Sequence, residues 1–177
     1  GEHMTRWSEI AAAEPEFAQQ VLKLFASRTS VTVATLRRDG SPRLSGVSLA
    51  FLDGEFWLSM IFSDSVKAAD LRRDPRLVLH SPTTDYVNDD MSDWRGDAKI
   101  AGHGVETVMY SNPEWAAFRI DVTEVVRIYF EADYLVTESW HEGRGLQRHE
   151  RSHPGEDRIK DEILWRQGNE LLVEAGE

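Results

Sequence analysis

Ser65 and Lys67 are the residues best placed to do chemistry, because they open a segment with the pattern of a short amphipathic helix. A Ser-Asp-Ser run supplies capping side chains at its start, and Asp74-Pro75 ends it. The first turn of a helix carries backbone N–H groups that have no partner inside the helix, and the helix dipole favours negative charge there. A lysine beside these groups predicts a binding site for an anion such as a phosphate.

Elsewhere the sequence holds few signs of catalysis by side chains alone. It contains neither a Gly-x-Ser-x-Gly motif nor a phosphate loop of the Walker kind. Because the chain has no cysteine, disulfides, thiolate metal sites and a cysteine nucleophile are excluded. The sequence therefore identifies no catalytic residue. It favours either a binding protein or an enzyme whose difficult chemistry is carried by a bound cofactor.

Antiparallel strands on both sides of this helix would hold it in place. Two Asp-Gly pairs, at positions 39–40 and 53–54, supply the positive φ angle that tight hairpin turns require. The segments beside them are rich in β-branched and aromatic residues, which favour strands. The predicted strands span residues 31–36, 43–51 and 55–60 before the helix, and residues 77–79 after it.

Two segments frame this central part of the chain. After a short polar lead, residues 15–25 are predicted to form a helix with proline in its first turn and an apolar face that packs onto the strands. Residues 82–98 are acidic and irregular, which predicts a long loop. Their spacing lacks the glycine and the terminal glutamate of the helix-loop-helix calcium motif, so no metal site is predicted.

The C-terminal half continues as strands. Residues 98–106 are predicted to form a strand with glycines where backbones approach closely, followed by a short helix at 112–118. Residues 122–134 and 135–140 are predicted to be a closing pair of strands, and residues 141–161, dense in charge, a solvated loop. Residues 163–173 fit either a last hairpin or part of a helix that starts at Asp157. Residues 1–4 resemble an expression-tag remnant, and residues 5–177 are predicted to be a single domain with an N-terminal helix and a charged C-terminal extension.

The composition narrows the class of protein. Twenty basic residues against thirty-one acidic ones give a formal net charge of −11, which disfavours nucleic acid and anionic membranes as partners. No apolar run approaches the ~20 residues needed to cross a bilayer, and no secretion signal is recognisable, so a cytoplasmic protein is expected. An anionic cofactor is compatible with this charge, because distant charges are screened over ~10 Å while local cations are not.

The succession of these elements resembles a known family. Strand, Asp-Gly turn, strand, second turn, strand, Ser-x-Lys helix and Asp-Pro strand is the order in the pyridoxamine 5′-phosphate oxidase-like family, matched over about residues 25–108. That family belongs to the flavin/deazaflavin oxidoreductase superfamily. The resemblance implies a mainly β protein with peripheral helices, built on an antiparallel split β-barrel of the FMN-binding type. It also implies a homodimer that acts on a small-molecule substrate.

The resemblance implies a flavin-dependent oxidoreductase that binds FMN between its two subunits, with a substrate that the sequence does not identify. A reductase that uses the deazaflavin coenzyme F-420 on the same fold is an alternative. A haem-binding or non-catalytic cofactor-binding protein on this barrel is another alternative, from a different functional class.

Several residues of this chain match those with which the family holds its cofactor. Family members bind the FMN phosphate with an arginine on the second strand and a Ser-x-Lys at the helix start, which correspond to Arg43, Ser65 and Lys67. Trp140 and Arg151 resemble residues that reach the flavin from the partner subunit. The full set of implied cofactor-binding residues is Arg43, Ser45, Ser59, Met60, Ser65, Lys67, Trp140 and Arg151.

The chain differs from the true oxidases at the positions with which they bind their substrate. When the sequences are aligned on Arg43, Ser48 takes the position at which the oxidases carry a substrate-binding lysine. Their substrate helix is not recognisable in residues 110–120, and their Arg-x-His pair becomes Gln147-Arg148-His149. Pyridoxamine 5′-phosphate is therefore expected to be a poor substrate.

Overall fold

The computed structural model describes residues 4–85 and 93–152. Their helices are α1 (Trp7–Ala13), α2 (Pro15–Phe25) and α3 (Val66–Arg73). Their strands are β1 (Thr5–Arg6), β2 (Ser30–Leu36), β3 (Pro42–Leu52), β4 (Glu55–Phe62), β5 (Arg76–His80), β6 (Asp97–Glu106), β7 (Trp115–Glu131), β8 (Tyr134–His141) and β9 (Gly145–Ser152). Within these residues, no helix has the length and apolar content of a membrane span.

Six strands close into an antiparallel barrel in the order β4, β3, β2, β5, β6, β7, with β7 pairing back onto β4. The sheet then continues past β7 into β8 and β9, while β1 pairs with β7 at Asp121 and Val122. Closure removes the exposed edges that an open sheet of these strands would carry. The predicted antiparallel split β-barrel with peripheral helices is confirmed.

The two predicted Asp-Gly turns are present and join β2 to β3 and β3 to β4. Gly40 has a φ of 83°, and Asp53 and Gly54 have φ angles of 52° and 75°, which is the left-handed pair of a type I′ hairpin turn. These tight turns fix the register of the first three barrel strands. Arg43 therefore pairs with Thr35 on β2, and Ser48 pairs with Ser59 on β4.

The core fills the barrel and extends beneath the N-terminal helices. Side chains from alternating positions of the strands point inward, as at Val33, Leu58 and Ile100, which are fully buried. The apolar face of α2 packs onto the same cluster. Between β6 and β7 the backbones approach so closely that a methyl group on Gly102 would lie 2.0 Å from the carbonyl oxygen of Asp121. The predicted role of glycine in this strand is confirmed.

Two predictions near the N-terminus and before β7 are wrong. The residues before Pro15 form α1 rather than a polar lead, because Trp7 and Ile10 lie one turn apart and are both buried. The helix predicted at 112–118 is absent, and its second half begins β7. Phe118 lies opposite Leu58 of β4 and Glu106 of β6, so sheet pairing on both sides overrides the helix propensity of this alanine-rich segment.

A third wrong prediction concerns the charged segment after His141. The structure places β9 there, paired with β8 along its whole length. Most β9 side chains are exposed, so the segment lacks the alternation of buried and exposed residues that predicts a strand. The hairpin or helix predicted beyond residue 156, and residues 86–92 of the predicted acidic loop, lie outside the described residues.

Candidate anion site at the start of helix α3

Helix α3 connects β4 to β5 and lies against β3 through two polar contacts. The Lys67 Nζ donates a hydrogen bond to the carbonyl oxygen of Gly46 at 2.6 Å. One turn later along the helix, Asp70 accepts a hydrogen bond from the Arg43 Nε at 2.7 Å. From the first contact to the second, the residue number rises along α3 and falls along β3, so the helix runs antiparallel to the strand. Its first turn therefore lies near Gly46, and its second turn near Arg43.

The start of α3 presents several donors together. The Ser65 Oγ accepts a hydrogen bond from the N–H of Ala68 at 3.2 Å, which caps the helix as predicted. The N–H groups of Val66 and Lys67 have no carbonyl one turn earlier within the helix. Burial lowers the pKa of the Lys67 ammonium. An anion bound beside it would restore favourable charge pairing and offset that desolvation.

Asp70 joins this helix to the barrel and is almost fully buried, with 2% of its surface exposed. One of its oxygens accepts from the Thr35 hydroxyl at 2.9 Å and from Arg43, and the other from the Arg73 Nη2 at 2.9 Å. Burial raises the pKa of this carboxyl, but the hydrogen bonds from Arg43, Arg73 and Thr35 outweigh burial and leave the pKa lowered. Asp70 therefore holds Arg43 in place as a charged partner.

The next strand presents a backbone irregularity at Met60. The pairing of β4 with β7 shifts register between Leu58 and Ile61, and Met60 has a φ of 53°, in the left-handed region that a non-glycine residue rarely adopts. Its side chain is 60% exposed, and its N–H donates to the Tyr110 hydroxyl at 3.0 Å. Such strain often marks a ligand site. The sequence indicated Met60 but not Tyr110, which lies in an irregular segment without a motif.

Six of the eight implied cofactor-binding residues lie on β3, β4 and the start of α3, and two lie elsewhere. Arg43 and Ser45 lie on β3, Ser59 and Met60 on β4, and Ser65 and Lys67 at the start of α3. Trp140 and Arg151 instead lie on β8 and β9, outside the closed barrel. Trp140 is 8% exposed and packs in the core cluster, whereas Arg151 is exposed. The core packing of Trp140 within its own chain does not support a role at a partner's cofactor, and the cofactor role of Arg151 stays a prediction.

A sequence pattern typical of zinc sites lies at the end of β9. Residues His149 to His153 read His-Glu-x-x-His, the zinc motif of many metalloproteases, which works only when a helix places both histidines on one face. Here His149 and Glu150 lie on β9, where neighbouring side chains point to opposite faces, and His153 is outside the described residues. Among the described residues, no group of three or more histidine, cysteine or carboxylate side chains is arranged to hold a metal ion.

A closed six-stranded antiparallel barrel, with a helix between its strands β4 and β5 and a cationic helix start against β3, defines a split β-barrel protein. The sequence matches no protein-family model, and it matches no curated protein. The structure, in contrast, resembles solved structures. PhzG from Burkholderia lata 383, solved with tetrahydrophenazine-1-carboxylic acid, is 11% identical with a TM-score of 0.57, over 82% of this chain and 93% of PhzG.

A second similar structure is a pyridoxamine 5′-phosphate oxidase-related, FMN-binding protein from Nostoc punctiforme. It is 10% identical with a TM-score of 0.54, over 78% of this chain and 96% of that protein. This chain therefore has the split β-barrel fold of the pyridoxamine 5′-phosphate oxidase-like proteins, which confirms the fold that the resemblance implied.

Proposed function

We propose that this protein binds FMN, with the phosphate at the start of α3, and acts as a flavin-dependent oxidoreductase. The observation that carries the proposal is the position of the Lys67 ammonium, which donates to the Gly46 carbonyl oxygen at 2.6 Å at the start of α3, beside the N–H groups of the first helical turn. Arg43 lies on the same strand and is fixed by Asp70. A phosphate dianion suits this set, because charge-assisted hydrogen bonds from lysine, arginine and helix N–H groups are the usual way proteins hold it.

The chain and the cofactor would divide the work. Bound FMN would supply the transfer of electrons to or from a substrate, which no side chain here provides. Lys67 and Ser65 would hold the phosphate, and the irregular backbone at Met60 would lie along the ring system. The donors at the helix start fit such a group, since two of the three Lys67 ammonium hydrogens remain after the bond to Gly46.

A spectrum of the purified protein, with titration of FMN, tests the proposal. Flavin absorbance bands, or quenching of FMN fluorescence at one FMN per chain, would support it. The deazaflavin alternative would instead appear as a shifted absorbance band, and haem as an intense Soret band. A colourless protein that binds none of these in titration would contradict the proposed function and both alternatives.

Replacing Lys67 by alanine is expected to weaken FMN binding by roughly 1.5 to 3 kcal/mol, the range for a hydrogen bond to a charged group. Riboflavin lacks the phosphate, so its affinity should change much less. Fluorescence titration of both ligands measures the difference. Lys23→Ala removes an exposed cation from α2 and should leave both affinities unchanged. Equal losses of FMN and riboflavin affinity in the Lys67 variant would exclude a phosphate contact.

We further propose that the protein is a homodimer that uses the outer face of β2, β3, β5 and β6. Leu44, Ala34, Val78 and Ala101 lie opposite one another across these strands and form one apolar row on this face. Leu44 is 74% exposed and Val78 is 43% exposed, although both are large apolar residues. Gly46, which contacts Lys67, lies two residues along β3 from Leu44, at the edge of this row. A second copy bound to this face would therefore lie next to the anion site and contribute residues to it.

A glutamate at position 44 should weaken the dimer at least about tenfold, because burying leucine in the interface contributes roughly 1.5 to 3 kcal/mol and a buried charge opposes association. Light scattering across a dilution series measures the change in Leu44→Glu. Tyr134→Glu, at the exposed first residue of β8, is the matched control and should stay dimeric. A wild-type protein that is monomeric at micromolar concentration would rule out the proposed interface.

A further inference from the structure

A second cationic feature lies between the turn that joins β2 to β3 and one face of α3. This cleft is open to solvent, has a volume of about 490 Å³ and is lined mostly by exposed residues. Its charged lining consists of Arg37, Arg38, Arg43 and Arg73 with Asp39 and Asp70. Four guanidinium groups against two carboxylates make this cleft locally cationic on a chain whose formal net charge is −11.

Three of the four arginines are held in place by groups of the protein. The Arg37 Nη1 donates to the carbonyl oxygen of Pro42 at 2.6 Å, and the Arg73 Nη2 donates to the carbonyl oxygen of Leu36 at 2.6 Å. Arg43 is held by Asp70, as described above. These contacts fix the guanidinium groups before any ligand arrives, which lowers the entropy cost of binding. Each group keeps further donors, because a guanidinium carries five.

Arg38 differs from the other three. Among residues 4–85 and 93–152 it makes no ion pair and no hydrogen bond through its side chain, and it is exposed at the tip of the turn. Asp39, its neighbour, accepts from the N–H and the hydroxyl of Ser41 at 2.9 and 2.6 Å. The Ser41 hydrogen bonds lower the pKa of Asp39, so this carboxylate stays charged yet is directed back onto its own turn. The cleft therefore keeps an excess of positive charge.

The cleft overlaps the phosphate site proposed above only at Arg43. Val66, Ala69, Asp70 and Arg73 line it, and these positions share one face of α3. Lys67 lies about 110° around the helix from the centre of that face, given 3.6 residues per turn. Neither Ser65 nor Lys67 lines the cleft. An anion on Lys67 and an anion in the cleft would thus share only Arg43.

We infer that this cleft is a second anion-binding site, which takes a small oxyanion with two or more negative charges, such as pyrophosphate. Arginine matches this chemistry, because its planar fork binds phosphate and carboxylate oxygens two at a time. A single negative charge would use few of the donors that four arginines supply. Apart from Arg43, the cleft uses none of the residues proposed to hold the FMN phosphate, so the two proposals can fail separately.

Calorimetric titration of inorganic pyrophosphate into the full chain tests the inference, at constant ionic strength set by chloride. One pyrophosphate should bind per chain, both without FMN and after saturation with FMN. Arg38→Ser and Arg37→Ser should each weaken pyrophosphate binding at least about tenfold and change FMN affinity less than about twofold. Arg95→Ser removes an exposed arginine away from the cleft and should leave pyrophosphate binding unchanged.

Three results would overturn the inference. They are no binding of pyrophosphate above the chloride background, loss of pyrophosphate binding once FMN is bound, and an equal loss of affinity in the Arg95 variant. The proposed function has a different failure. A chain that binds pyrophosphate through Arg38 but binds no flavin would support the cleft and contradict the FMN proposal.

Discussion

Replacing Asp70 by alanine is expected to lower the free energy of unfolding by roughly 2 to 4 kcal/mol. The change removes the shared acceptor of Thr35, Arg43 and Arg73 and leaves two guanidinium groups without their carboxylate. Breaking a fully buried ion pair costs about 3 to 5 kcal/mol. The expected value is smaller because the Arg43 and Arg73 side chains are 24% and 30% exposed and water can solvate them.

Urea unfolding followed by tryptophan fluorescence measures this loss. Asp64→Ala is the matched control, because Asp64 is exposed just before the helix and has no polar side-chain partner in the described part of the chain. Its effect should stay within about 0.5 kcal/mol. Asp70→Asn keeps the shape of the side chain and one acceptor oxygen, so its free energy of unfolding should lie between those of Asp70→Ala and the wild type. A loss below 0.5 kcal/mol in Asp70→Ala would show that α3 is held by its apolar contacts alone.

The same carboxylate makes stability depend on pH. The pKa of Asp70 in the folded chain is lowered from its usual value of 3.8, so the unfolded chain binds the proton more readily. The stabilisation is therefore complete above about pH 4 and is lost as the pH falls through the folded pKa. The difference in unfolding free energy between wild type and Asp70→Asn should shrink from pH 6 to pH 3. An unchanged difference across that range would contradict the assignment.

The parts of this fold that the sequence predicts are those determined by local chemistry. Two Asp-Gly pairs specify hairpin turns because glycine and aspartate tolerate positive φ, and both turns are present. Ser65 caps α3 and Asp74-Pro75 ends it, again by local hydrogen bonding and backbone sterics. The predicted position of Lys67 in the first helical turn follows from these two boundaries.

The parts that the sequence does not predict depend on distant contacts. Nothing local indicates that Asp70 meets Arg43 across 27 positions, or that the Tyr110 hydroxyl accepts from the N–H of Met60. The helix predicted at the start of β7 is wrong for the same reason, since Phe118 becomes a strand residue only because β4 and β6 lie on either side of it. Candidate residues can thus be identified from residue type and spacing, whereas their contact partners can be identified only once the closed barrel is known.

The kcat/KM for pyridoxamine 5′-phosphate is expected to be at least about a hundredfold lower than that of an oxidase that carries the substrate lysine. In the alignment on Arg43, Ser48 takes the position of that lysine, and on β3 it pairs with Ser30 on one side and Ser59 on the other, so these three positions supply hydroxyl groups and no cation. A bound phosphate loses a charge-assisted hydrogen bond worth roughly 1.5 to 3 kcal/mol for each missing cation. Gln147 takes the place of the arginine in the oxidases' Arg-x-His pair, and two missing cations correspond to a hundredfold or more in affinity.

Arg148 is the residue that would have to compensate, and its contacts oppose that role. Its guanidinium donates to Glu131, to Glu150 and to the Tyr129 hydroxyl, so its charge is already paired on the sheet extension. Hydrogen bonds to Glu150 also raise the pKa of the Arg148 guanidinium. The assay is oxygen consumption and pyridoxal 5′-phosphate absorbance, with protein whose flavin band shows that FMN is loaded. Rapid product formation at micromolar substrate would mean that Arg148 leaves its carboxylates, and that a site without the lysine still recognises the substrate phosphate.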